Sequence, residues 1–394
     1  MPSRLPVPLR LTLATLALMT APALSAAPAP RSLPAAKVQV GAPLELVHAF
    51  YGHMPVGVAV NSQGRIFISY PRWEDPVPFS IAELKDGREV PYPSGVMNSQ
   101  TVPLNVDRFV GVQGLVVDAR DRLWVLDTGT VNLGPILGQQ APKLVGIDTR
   151  TNRVVRTIRF PANVVLPSTY LNDLRIDLGQ GQDGVAYITD SGAKSGGGII
   201  VVDLASGQSV RRLTGDRSVK ATPQFVPFTD GAALFQRPKG GPAKYVALNS
   251  DGIAISPDGA TLYYTPLASR RLYAVPTVAL RDRSVTDAQL SAQVKDLGEK
   301  GVSDGLGEDT LGRIYTTNFE QNAIFRRAPD GTFDTVVRDP RLIWPDTLAL
   351  HGGYLYILSD QLNRQGGYHW GRDQRVKPYA LYRVRVQASP VLLK

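Results

Sequence analysis

Alternating apolar and polar residues recur along this chain in one frame, six times. Each copy opens on a small or turn-forming residue. It then runs through a short apolar alternation, a Gly/Asp/Asn turn and a second alternation, and ends on a polar or acidic residue. The copies are PVGVAVNSQGRIFISYPR from Pro55, VQGLVVDARDRLWVLDTG from Val112, NDLRIDLGQGQDGVAYITDSG from Asn172, SDGIAISPDGATLYYTPL from Ser250, SDGLGEDTLGRIYTTNFE from Ser303 and PDTLALHGGYLYILSDQ from Pro345. A period of two is the signature of a strand, and two such runs about a turn make a hairpin. A second, weaker strand pair follows each copy, as in LVGIDTRTNRVVRTIRF from Leu144 and GIIVVDLASGQSVRRL from Gly198. Two hairpins give a four-stranded unit, and six such units in series predict an all-β, six-bladed β-propeller.

The rest of the chain fits around this array. Residues 1–26 carry Arg4 and Arg10, then an apolar stretch from Leu11 to Leu18, then the small residues of Ala23-Leu24-Ser25-Ala26-Ala27. That order is expected of a secretory signal peptide, since the apolar stretch is too short to cross a bilayer. Residues 27–37 are Ala/Pro-rich and read as a flexible lead-in, leaving 38–394 for the propeller. LELVHAF from Leu44 is placed to close the ring by pairing with the last blade near Tyr379 to Val386, removing the open edge. Gly215 to Pro242 reads as a loop inserted on one face, and Arg281 to Gln293 as room for a helical turn.

Composition narrows the function classes. With 394 residues, 43% apolar content, 37 Gly and 31 Pro, the chain can form a large core with many turns. It has no cysteine, which excludes disulfides and thiolate metal sites. Its four histidines, His48, His53, His351 and His369, form no HExxH or HxH pattern. The net charge of +9 is spread along the chain, with no nucleic-acid-binding motif. No later stretch is long enough to span a membrane. The expectation is an exported monomer, periplasmic or secreted, with a small-molecule partner.

Hairpin geometry places the candidate chemistry. The residues that open strand one and close strand two of a copy share one rim. The openers are Gln113, Asn172, Asp173, Asp251, Asp304 and Asp346, and the closers include Tyr70, Asp127, Asp190, Asn318 and Asp360. In a propeller the first strands line the central channel, so the openers converge on its mouth. Tyr70, Trp73, Tyr170, Phe319 and Trp344 could supply aromatic faces there, and His53 lies just before the first channel strand. A ring of carboxylates repels itself unless something compensates. Calcium or another divalent cation with oxygen ligands would do so, with Asn172, Asp251 and Asp304 as its ligands. An organic ammonium against aromatic rings would also do so. Asp before Gly also serves ordinary turns, and Asp183, Asp258 and Asp330, at the far ends of hairpins, are assigned to turns alone.

Several segments resemble the Yellow/major royal jelly protein family: RLWVLDTG from Arg122, LYYTPLASRRLYAVPT from Leu262, IFISYPRW from Ile66, YLNDLRID from Tyr170 and WPDTLAL from Trp344. The resemblance implies a six-bladed propeller. It implies no single reaction, because the family spans pigment-linked proteins, including dopachrome conversion, nutritive proteins and amine-capturing proteins. The family's disulfides cannot be present. A more distant similarity is to gluconolactonase/regucalcin-type propellers, on Ser250-Asp251-Gly252 and Ser303-Asp304-Gly305. It implies a metal-dependent lactone or ester hydrolase. A metal on Asn172, Asp251 and Asp304 would polarise a carbonyl, with Asp173 or Asp304 as general base. The first-blade Glu ligand of those enzymes has no counterpart near His53-Met54-Pro55. Three readings follow: a binder of a cationic or aromatic amine, a hydrolase, and an extracellular scaffold.

Overall fold

The computed structural model describes residues 40–100 and 105–394. The expected signal segment and lead-in lie outside the described residues. Six antiparallel sheets follow one another in chain order, with the first strand of each innermost. The inner strands are Gly57–Val60, Val112–Val117, Leu171–Asp177, Ser250–Ile255, Leu306–Glu308 and Pro345–His351, and each lies against the inner strand of the next blade around a closed ring. The fold is the six-bladed β-propeller expected from the repeats.

The ring closes as the pattern predicted. Glu45–Phe50 is the outer strand of blade 6 and pairs antiparallel with Tyr379–Arg385, from Glu45↔Arg383 to Phe50↔Tyr379. Val40–Gly41 continues onto the outer edge of blade 5 through Val40↔Arg338. The N-terminal chain thus covers two sheet edges with C-terminal partners, which leaves those edges unavailable for intermolecular pairing.

The core explains why the strands read as nearly continuous apolar runs. Each blade is packed on both faces. In the second strand of blade 3, Val185 and Tyr187 face blade 4, with Ile253, Ile255 and Tyr264. The intervening Ala186 and Ile188 face blade 2, with Trp124, Leu126 and Leu144. Trp124 is fully buried there, its indole N–H donating to Asp118 Oδ2 at 2.8 Å.

The inserted loop is present and has a role in the fold. Residues 215–249 carry one small hairpin, Phe228–Thr229 with Ala232–Ala233. Phe225, Leu234 and Val246 from this insert pack with Leu362 and Tyr368 onto Trp344, Phe319 and Met54. The two loops are tied together: Arg237 N donates to the Gly367 carbonyl at 2.8 Å, and Arg364 pairs with Asp230 at 2.8 Å. Together they cap one end of the channel. The expected helical turn is two short helices, Thr277–Arg281 and Asp287–Ser291, the latter with a Thr286/Gln289 capping box.

Candidate functional site

The inner strands do not open as regular strands. In blades 2, 3, 4 and 6 the pairing to the second strand shifts register at the opening residues, between Val112/Leu115, Leu171/Leu174, Ser250/Ile253 and Pro345/Leu348. A bulge re-aims the side chains within it. Here the bulged residues are Gln113, Asn172, Asp173, Asp251 and Asp346. The glycine after the acid has a purpose other than turning. A Cβ on Gly252 would strike the Asp304 carbonyl oxygen, and one on Gly305 the Asp346 carbonyl oxygen. Neither glycine has a left-handed φ, whereas Gly184, Gly259 and Gly331, which follow Asp183, Asp258 and Asp330, do (+103°, +70° and +94°). Asp-Gly at the mouth is therefore a close approach of neighbouring blades, and Asp-Gly at the far end is a turn.

Two carboxyl pairs meet under the cap. The Asp251 carboxyl lies within hydrogen-bonding reach of Asp304, and Asp346 within reach of Asp360. Two carboxyls can lie so close only by sharing a proton. Burial first, then the neighbouring acids, push Asp251 and Asp346 well above the usual carboxylate range. Burial also raises Asp304 and Asp360. Asn172 Nδ2 donates to Asp251 Oδ2 at 2.8 Å, and the Trp344 indole donates to Asp304 Oδ2 at 2.6 Å. Asp360 accepts from Leu362 N through Oδ1, while its buried Oδ2 has no ordinary donor among the described residues.

The walls are aromatic. Trp344 stacks on Phe319 with centroids 3.9 Å apart and planes 12° apart. Trp73 donates its indole N–H to the Tyr170 hydroxyl at 2.8 Å, which in turn donates to Gln113 Oε1 at 2.9 Å. The Tyr368 phenol reaches in from the cap, pushed up by burial and by the field of Asp304, Asp360 and Asp251.

Not every expected residue joins this cluster. Tyr70 is fully buried in blade 1, with its hydroxyl donating to Glu89 at 2.7 Å and its ring against His53 and Phe79. It packs the blade, and His53 packs with it; burial pushes the His53 imidazole down. Asp127 and Asp190 tie down loop amides and pair with Lys143 and Arg211 at 2.7 and 2.5 Å. Asp173 turns down the channel, where Arg175 grips Glu308 through Nε at 2.7 and 3.0 Å and Asp173 through Nη1 at 3.3 Å. Burial pushes Glu308 up to about 7, yet Arg175 is also raised, Glu308 and Asp173 outweighing its own burial. The two-oxygen contact favours an ionised pair. This plug closes the inner end of a cavity of about 100 Å³ that opens on the opposite face.

Asn172, Asp251 and Asp304 do come together, but not as ion ligands. Asn172 presents an N–H to Asp251, Asp304 is occupied by an indole N–H, and the Lys300 amine stands beside both acids. Among the described residues no group of three or more His, Cys, Asp or Glu is placed to hold a metal ion. The donor set does not fit the divalent cation expected from the sequence, which needs several converging oxygens.

Comparison with known proteins agrees with the fold. The family model described as Major royal jelly protein matches residues 110–390. Protein yellow of Drosophila yakuba is 30% identical over 254 residues, covering 59% of this chain and 43% of that protein. Protein yellow of Drosophila melanogaster is 29% identical over the same length. The chain thus matches under half the length of these relatives. Among solved structures, the calcium-binding protein regucalcin from Agrobacterium tumefaciens superposes with a TM-score of 0.51 at 16% identity, over 88% of this chain and 97% of that one. A luciferin-regenerating enzyme gives 0.51 at 14% identity, over 90% and 100%. At these identities the likeness concerns the fold alone.

Proposed function

Since the chain belongs to the major royal jelly protein family, we propose that it is an exported propeller that takes a small aromatic amine at the capped mouth of its channel. The observation that carries this reading is the Asp346–Asp360 pair, buried beside stacked Trp344 and Phe319, with Asp360 Oδ2 lacking an ordinary donor. An ammonium would displace the shared proton and supply the missing N–H. The ligand's ring would then meet the aromatic wall, where a cation and a flat apolar body are both stabilised. Asp251 and Asp304 supply further negative charge, while Asn172, Gln113 and Tyr170 offer polar contacts. The insert and the 361–375 loop exclude water, strengthening every charge interaction inside.

The test is calorimetric titration of chelator-treated protein with tyramine, a flat amine of suitable size. One-to-one binding that is lost in Asp360→Asn supports the reading. Absence of heat with tyramine, together with binding of a lactone or a divalent cation, overturns it.

A further inference from the structure

We propose that Lys300 captures carbonyl compounds, its ε-amine forming an imine with an aromatic aldehyde or ketone at the channel mouth. This rests on the mouth being a ligand site, and it adds a substrate class and a covalent step to that site.

Among the described residues two lysines are almost fully buried, and they differ in kind. Lys143, 1% exposed, holds Asp127 at 2.7 Å and the Arg108 carbonyl at 2.9 Å, so its charge is matched. Lys300, 3% exposed, forms no ion pair among the described residues, and its Nζ donates only to the Gly301 carbonyl at 2.9 Å. Its backbone N–H is fixed to the Arg270 carbonyl at 2.8 Å. The Arg270 guanidinium, itself paired with Glu320, acts on the amine as a second positive charge. Burial, then Arg270, push the Lys300 amine down to about 7, with Asp251 and Asp304 opposing. A lysine desolvated beside a second cation is the arrangement that makes an amine nucleophilic at neutral pH. About half of such amines are free base at pH 7, against ~0.03% for an ordinary lysine.

The surroundings suit the reaction. Asn318 Nδ2 is buried without an acceptor and lies against Gly301, next to Lys300. It offers an N–H to a carbonyl oxygen. The raised Asp251 carboxyl, beside Asp304 and the same amine, is a source of the proton. In the step itself, Nζ adds to the carbonyl carbon and the oxygen takes a proton. The carbinolamine then loses water as nitrogen gives up its hydrogen. One carbonyl compound and one amine become one imine and one water, with no oxidant or reductant consumed. Lys300 also bears on the acids, since its charge pulls the Asp251 and Asp304 carboxyls down against their burial.

The experiment is reductive trapping. Wild-type protein and Lys300→Met are incubated at pH 7 with 4-hydroxybenzaldehyde and cyanoborohydride, then digested and mapped by mass. The expected result is one adduct per chain on the Lys300 peptide, formed at least about ten-fold faster than on exposed lysines, as its free-base fraction implies, and absent in Lys300→Met. Tyramine binding is measured on the same preparations. If tyramine binds while the Lys300 peptide stays unmodified, the covalent proposal is overturned and the site stands. If neither occurs, both fail. An adduct on Lys300 without tyramine binding supports the covalent proposal and rejects the amine ligand.

Discussion

Trp344 donates its indole N–H to Asp304 Oδ2 at 2.6 Å while its ring lies flat on Phe319. One side chain thus belongs to both the acid pair and the aromatic wall. Trp344→Phe keeps the stack and removes the donor, leaving a buried carboxyl oxygen without its partner. A hydrogen bond to such a group contributes about 1.5–3 kcal/mol. The expected loss in urea unfolding is of that order, with an unchanged m-value.

The acid pairs make stability depend on pH with a definite sign. Their folded pKa values are raised, so their contribution is fully present below the unfolded value near 4 and is lost as pH rises through the folded values. Asp346→Asn should reverse this loss, because its amide would give Asp360 Oδ2 the donor it lacks. Melting temperature should rise by about 2–4 °C at pH 8 and change little at pH 5. A fall at pH 8 would count against the shared proton.

The same linkage acts on the ligand. An ammonium binds the ionised acids, so tyramine affinity should increase between pH 5 and pH 8 and binding should release protons. Titration in two buffers of different ionisation enthalpy measures the number released. Release of none would exclude displacement of the shared proton.

Removing one partner of the buried Lys143–Asp127 pair tests the opposite kind of lysine. Asp127 also accepts the amides of Val110 and Gly111 at 2.9 and 3.0 Å. Lys143→Met should cost about 3–5 kcal/mol by chemical denaturation.

Ring closure is the last structural prediction. A chain beginning at Tyr51 lacks the outer strand of blade 6 and leaves Tyr379–Arg385 as an open apolar edge. Such a protein should associate in light scattering under conditions where the full chain does not.

Much of this was legible in the sequence because the repeat has a physical period. Alternation located the strands, and hairpin geometry put Asn172, Asp251, Asp304 and Asp346 on one rim. Position along the hairpin also separated Asp-Gly at that rim, where the glycine answers to a neighbouring carbonyl, from Asp-Gly at the far end, which turns. Tyr70 was expected at the mouth because it ends a strand, but ending a strand does not fix where a side chain points. Arg175 and Glu308 could have been found: they lie two and four residues beyond the openers Asp173 and Asp304, where period two points a charge into the channel. Lys300 and Tyr368 left no such trace. They lie in connecting segments, and only tertiary packing brings them to the acids.

The most direct test is a crystal structure of the protein soaked with tyramine at a concentration that saturates in calorimetry. The ammonium should lie within hydrogen-bonding distance of Asp346 and Asp360, with the ring against Trp344. Tyramine bound elsewhere, with the mouth unchanged, would contradict this.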